Sequence, residues 1–199
     1  MGAFRFVVMG ASWGGPNALR KLLGALPPGL DAAVAVVQHR GPDSEPGSLC
    51  RALAPYSALP VSEIEDKDEI ERGRVYLAPG NYHVLGEAGR FSLSTDERVQ
   101  YSRPSIDALF MSAADTYGDR VIGVLLTGGN EDGAQGLAHI RARGGLTIVQ
   151  DPATAENPVM PRAAIAAGAA QQVLGLPEIA QLLGTACGVR AVGEERHGR

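Results

Sequence analysis

A serine set among small residues lies close to the start of the chain. Gly10-Ala11-Ser12-Trp13-Gly14 has the form G-x-S-x-G, follows an apolar run and precedes a helical pattern. A strand–turn–helix of this kind suits a nucleophilic serine. The tight turn tolerates only small neighbours and pushes the hydroxyl outward, and N–H groups at the helix start can face a developing oxyanion. Ala11, Gly14 and Gly15 are small enough. A glycine-rich turn that binds phosphate, or binds nothing, has the same appearance.

A serine nucleophile needs a base, and the chain has four histidines. His197 lies in a polar C-terminal stretch, His139 in the middle of a helical pattern and His83 in a β-like run, where a structural or pocket-rim role suffices. His39 directly follows the apolar run AAVAVVQ. A strand's carboxyl end is where ligands bind in open parallel sheets, and Ser12 occupies the same kind of position. The base in turn needs a carboxylate to hold its tautomer and stabilise the imidazolium. Asp132, after VIGVLL, and Asp151, after LTIVQ, both fall on the correct rim. Position alone does not choose between them, and Asp132 also has the appearance of a helix N-cap.

The elements that must position these residues alternate. Residues 4–9 (FRFVVM) read as a strand. A helix starts near Pro16, with Leu19, Leu22, Leu23 and Leu26 at helical spacing, and ends at Pro27-Pro28. Residues 32–37 (AAVAVV) are a continuous apolar run, the mark of a strand buried on both faces. A helix is expected over 48–53. The short runs 74–77, 82–85 and 90–94 are split by Pro79-Gly80 and by Gly86-Glu87-Ala88-Gly89, which predicts antiparallel hairpins. A helix follows from Ile106, then a strand at 121–126, a helix at 134–143, a strand at 146–149, and helices at 161–170 and 178–187.

This pattern predicts an α/β fold: a doubly wound, mostly parallel sheet with helices on both faces and an inserted antiparallel β-hairpin. One domain is expected over residues 1–188, with a flexible polar tail over 189–199. The chain has 199 residues, 45% of them hydrophobic, and a formal net charge of −4 from 18 basic and 22 acidic side chains. That balance speaks against nucleic acid or an anionic membrane surface as partner. No apolar run reaches the ~18 residues of a bilayer span, and no signal peptide is evident, so a cytoplasmic location is expected. Cys50 and Cys187 are far apart and show no metal-ligand spacing; reduced thiols, no metal and no cofactor are the expectation.

The order Ser, His, Asp differs from the Ser, Asp/Glu, His of the α/β-hydrolases, whose elbow also lies deeper in the chain. At these residues the sequence resembles the catalytic domain of the chemotaxis receptor methylesterases, the CheB family. The matching stretches are VVMGASWGG (7–15), VVQH (36–39), YLAPGNYH (76–83), RPSIDALF (103–110), LLTGGNEDGAQG (125–136) and QDPATAENPVMPRAAI (150–165). Each is short, but six in the same order are specific.

The resemblance implies a triad of Ser12, His39 and Asp132, and it selects Asp132 over Asp151. It implies hydrolysis of glutamyl methyl esters on a chemoreceptor or receptor-like protein, with release of methanol, and deamidation of glutamine through the same acyl-enzyme. Backbone N–H groups near Trp13 and Gly129 would hold the oxyanion. The rival readings are the same triad acting on a different ester or amide, a nucleotide- or phosphate-binding module, and a signalling scaffold without catalysis.

The chain departs from the family at the rim. Trp13 stands where the family has a small hydroxyl residue. Gly129 and Asn130 replace the Met and second Gly of G-M-G-x-D-G, and Arg40-Gly41-Pro42-Asp43 follows the histidine in place of an apolar residue and a phenylalanine-threonine pair. Members of the family commonly carry an N-terminal receiver domain over the active site. The 199 residues hold none, which predicts an uncovered rim and an activity indifferent to small phosphoryl donors.

Overall fold

A computed structural model describes residues 5–41 and 44–190 of the chain. Strand β1 (Arg5–Ala11) leads through α1 (Gly15–Ala25) to β2 (Ala32–Gln38), α2 (Ser48–Leu53), β3 (Val61–Glu63) and β4 (Arg74–Leu77). The strands β5 (His83–Glu87) and β6 (Arg90–Ser94) come next, followed by α3 (Ile106–Tyr117), β7 (Val121–Leu125) and α4 (Ala134–Ala142). The chain then runs through β8 (Leu146–Gln150), α5 (Val159–Ala166), β9 (Gln172–Leu174) and α6 (Leu176–Cys187). Seven strands form one sheet in the order β3-β4-β2-β1-β7-β8-β9, and every neighbouring pair is parallel.

The apolar runs are continuous because both faces of this sheet are covered. In β1, Phe6 and Val8 pack beneath α3 and α4 beside Leu109, Phe110, Leu137 and Ile140. Val7 and Met9 point to the other face, among Leu19, Leu22 and Leu23 of α1 and Ile179 and Leu183 of α6. All four β1 residues are fully buried. Burial of such side chains supplies roughly 1.5–3 kcal/mol each, so the central strands form the rigid floor beneath the loops at their ends.

The sheet winds outward from β1 in both directions, through β2 to β4 on one side and through β7 to β9 on the other. The expected α/β, doubly wound architecture is therefore what the chain adopts, and β1 lies at the switch point where a crevice opens beyond the strand ends.

One reading of the middle segment is corrected. Residues 74–77 belong to the parallel sheet, where Val75 and Leu77 pair with Val34 and Val36 of β2. Among the described strands, β5 and β6 alone pair antiparallel. The short Pro79-Gly80 break does not return the chain onto β4; it lifts it onto the α3 face. There Phe91 contacts the rings of Phe6 and Tyr76, and the Tyr117 hydroxyl donates to the Glu87 carbonyl at 2.6 Å.

β3 and β9 were not foreseen. Each has three residues, lies at a sheet edge and is not fully buried, so neither leaves an apolar signature. Helix α5 ends at Ala166, before Gly168 turns the chain with φ +67°. Of the expected tail, Val189 bridges to Leu30 and the Arg190 N–H donates to the Gly29 carbonyl. Residues 191–199, and with them His197, lie outside the described residues.

Candidate active site

Three loops meet at the carboxyl edge of three adjacent strands, β2, β1 and β7, and each carries one member of the expected triad. Ser12 follows β1 directly. Its N–H donates to the Thr127 carbonyl at 2.9 Å and its carbonyl accepts from the Gly15 N–H at 2.8 Å. The Thr127 hydroxyl donates to the Trp13 carbonyl at 2.9 Å. The nucleophile turn is thus clamped to the exit of β7. Its left-handed residue is Gly14, φ +78°, at the N-cap of α1; Ser12 is not among the residues of positive φ. The turn differs in this from a strained elbow, because the glycine two positions on takes the unusual conformation.

His39 follows β2, and its N–H donates to the Ala11 carbonyl at 2.9 Å. Gln38 links the two loops: its Nε2 donates to the Ser12 carbonyl at 2.9 Å and to the His39 carbonyl at 2.8 Å. Gln38 is 5% exposed. It reaches this position because residue 15 is glycine, where a Cβ would lie 1.8 Å from the Gln38 Oε1. Sequence reasoning located the turn but not the glutamine that registers it against the base. The only available signal was a polar residue at the end of a buried strand.

The His39 Nε2 lies 2.7 Å from the Asp132 Oδ2. Asp132 is fully buried, and its two oxygens receive three further bonds. Oδ2 accepts from the Ile106 N–H at 2.7 Å; Oδ1 accepts from the Ser105 hydroxyl at 2.9 Å and the Asp107 N–H at 3.0 Å. Asp132 is therefore not the N-cap of α4, which is Gly133; it accepts N–H groups in the first turn of α3, whose own N-cap is Ser105. Burial pushes the Asp132 carboxyl up, but the bond to His39 and the amides of Ile106 and Asp107 outweigh it and hold the pKa below its ordinary value. Asp151, the other candidate, turns its carboxylate to the Ala153 N–H within its own turn.

With Nε2 committed to Asp132, the ring edge left for base chemistry is Nδ1. Asn130 Nδ2 lies 3.5 Å from it, and Asn130 Oδ1 accepts from the Asp132 N–H at 3.3 Å. The Ser12 hydroxyl makes no hydrogen bond to a described residue. The N–H groups of Trp13 and Gly129 likewise donate to no described residue, so both remain open to an oxyanion. The Trp13 side chain is 68% exposed beside the nucleophile.

The other sequence candidates have structural partners. The His83 Nε2 donates to the Glu97 carbonyl at 3.0 Å, and its Nδ1 accepts from the Ser105 N–H at 3.2 Å. It joins the hairpin to the start of α3 at Ser105, whose hydroxyl also holds Asp132. His139 pairs with Asp115 on the surface. Cys50 and Cys187 are free thiols, and burial raises both pKa values, that of Cys187 to about 11. Among the described residues no group of three or more His, Cys, Asp or Glu is arranged to hold a metal ion, and no helix is long and apolar enough to cross a membrane.

This geometry sits within a known family. The model of the CheB methylesterase family matches residues 7–183. The chain belongs to the CheB methylesterase family. A Leptospira interrogans homologue is 48% identical over 180 residues, which cover 90% of this chain and 93% of the homologue. A Symbiobacterium thermophilum protein named protein-glutamate methylesterase/protein-glutamine glutaminase is 41% identical over 191 residues. That alignment covers 96% of this chain and 51% of the relative, so the chain spans about half of that protein. The CheB methylesterase catalytic domain of Thermotoga maritima superposes with a TM-score of 0.88 at 34% identity, over 93% of this chain and 100% of that one. The seven-stranded parallel sheet and the separate two-stranded hairpin are the fold of that domain.

Proposed function

We propose that Ser12, His39 and Asp132 act as a triad that hydrolyses glutamyl methyl esters on a chemoreceptor or receptor-like protein, and deamidates glutamines at the same site. The reaction class follows from membership of the CheB methylesterase family. The observation that carries the residue assignment is the 2.7 Å contact of His39 Nε2 with a fully buried Asp132. A carboxylate so held fixes the ring with its proton on Nε2 and leaves Nδ1 as the base.

In this reading Ser12 attacks the ester carbonyl as Nδ1 of His39 takes its proton. The tetrahedral oxyanion lies against the N–H groups of Trp13 and Gly129. His39 returns the proton to the leaving oxygen, methanol departs, and Ser12 holds the glutamyl acyl group. Water, deprotonated by His39, then releases the glutamate. A glutamine side chain would form the same acyl-enzyme with loss of ammonia. The substrate is met in the cytoplasm, and no cofactor enters the cycle.

A fluorophosphonate probe tests the nucleophile. It should label the wild type at Ser12, and Ser12→Ala should lose both labelling and methanol release while keeping its circular dichroism. Methanol release by a folded Ser12→Ala at a normal rate would overturn the triad.

A further inference from the structure

Beside His39 lies a cleft of about 190 Å³, lined by Arg40, Arg98 and Arg103 and by the Tyr101 turn. None of the described residues that line it is acidic. Arg40 stands where the family has an apolar residue, and its side chain is only 9% exposed. One nitrogen, Nη2, donates to the Glu63 carboxylate at 2.7 Å and to the Ala78 carbonyl at 2.9 Å. Nε and Nη1 are buried and bond to no described residue. Buried donors on a charged group are rarely left empty, because each unmade bond costs the group's full desolvation.

The remaining walls are preformed. Arg103 is locked by the Asn81 Oδ1 and by the Thr95 and Asp96 carbonyls, which take four of its five N–H donors, so it contributes mainly fixed charge. Arg98 is exposed and bonds to no described residue. Gln100 and Tyr101 form a two-residue turn between the bridged Val99 and Ser102, and both have positive φ (47° and 65°). Two non-glycine residues in that region cost on the order of 1 kcal/mol each, and a surrounding structure must impose them. Here the buried Asp107 accepts a hydrogen bond from the Gln100 side chain at 3.2 Å. Tyr101, at the tip, is 95% exposed.

We propose that this cleft is a carboxylate subsite, which binds an acidic side chain of the protein substrate close to the scissile glutamyl ester. The inference rests on the reading of His39 as catalytic base, because His39 lines the cleft and a substrate held at His39 reaches it. Three guanidinium groups favour a planar anion with two oxygens. On a protein substrate that anion is an aspartate or glutamate, and the reaction itself makes such glutamates at neighbouring esters. Arg98 supplies the free donors, Arg40 and Arg103 add fixed positive charge in the walls, and Tyr101 covers the bound side chain.

Helical peptides carrying one glutamyl methyl ester, with Glu or Gln one turn away, test this. Binding is followed by fluorescence anisotropy and turnover by methanol release, in wild type, Arg98→Gln and Arg40→Met. The wild type should bind the Glu peptide about fivefold more tightly than the Gln peptide at low salt, as one favourable ion pair would give, and the preference should shrink as salt is added. In Arg98→Gln the Glu/Gln ratio should fall to about twofold or less, because Arg40 and Arg103 remain. Equal binding of the two peptides by the wild type, or an undiminished preference in Arg98→Gln, overturns the subsite whether or not Arg40→Met folds. Acid preference in binding without turnover or probe labelling would leave the subsite standing and sink the triad instead.

Discussion

Asp132 accepts the N–H groups of Ile106 and Asp107 in the first turn of α3, and Asp107 in turn accepts the Gly136 N–H in the first turn of α4 at 2.6 Å. Each aspartate caps the helix that the other one introduces. The two helix N-termini, both favourable places for negative charge, are thereby locked together around the carboxylate that holds His39. The pair is asymmetric. Asp132 is held below its ordinary pKa, whereas burial, with the nearby charge of Asp132 adding to it, raises Asp107 to about 6.

The opposite shifts have opposite consequences for stability. A carboxyl whose folded pKa is raised from 3.8 to about 6 takes up more protons folded than unfolded between those values. Its contribution to stability therefore falls as pH rises through that window. Asp107→Asn, which stays neutral, should gain on the wild type by on the order of 1–3 kcal/mol between pH 4 and pH 7. Denaturant titrations at a series of pH values would show it; a constant difference between the two proteins would mean that Asp107 does not titrate there. Asp132 works the other way, adding stability above its unfolded pKa that is lost as pH falls through its lower folded value.

The triad should fail as a unit. Ser12→Ala is expected to lower ester hydrolysis by ~10⁴–10⁶, and Ser12→Ala/His39→Ala to be little worse than Ser12→Ala alone. Multiplying losses in the double variant would show that the two residues act independently.

Gln38 should matter for rate more than for stability. Gln38→Leu removes the Nε2 that joins the Ser12 and His39 loops, and with it an Oε1 that bonds to no described residue. Misplacing two reacting groups by a fraction of an ångström commonly costs ~10–10²-fold. We expect kcat to drop by that amount while Tm moves by only a few degrees. An unchanged kcat would show that the two loops hold their register without the glutamine.

Trp13 should tune preference. Its indole is largely exposed beside the nucleophile, and a pocket change of this kind is worth ~1–3 kcal/mol between substrates. Trp13→Thr is expected to change kcat/KM ratios among esters of different size while leaving the chemistry intact. Identical ratios in both proteins would show that the indole does not meet the substrate.

Much of this was legible from residue order alone. Continuous apolar runs such as AAVAVV can be satisfied only by a sheet covered on both faces, so parallel strands and their helices followed from hydropathy. The ends of those runs then placed Ser12, His39 and the two candidate aspartates on one rim. The choice of Asp132 came from a resemblance, and the rim departures at Trp13, Arg40 and Asn130 were visible as departures without their consequences.

The tertiary structure decided what depends on residues far apart in sequence. RVYL, read from its short flanking breaks as part of a hairpin, pairs with β2 instead, because four residues carry no record of which neighbour completes their hydrogen bonds. The short edge strands β3 and β9 had no apolar signal to read. The bridge from Gln38 to two loops, the reciprocal bonds of Asp107 and Asp132, and the bonds of Arg40 to Glu63 and Ala78 all join polar groups across long stretches of chain. Local spacing reports periodicity and turn chemistry, which are short-range properties. Which buried polar group meets which is settled only when packing removes water and every donor and acceptor must find a partner in the space that remains.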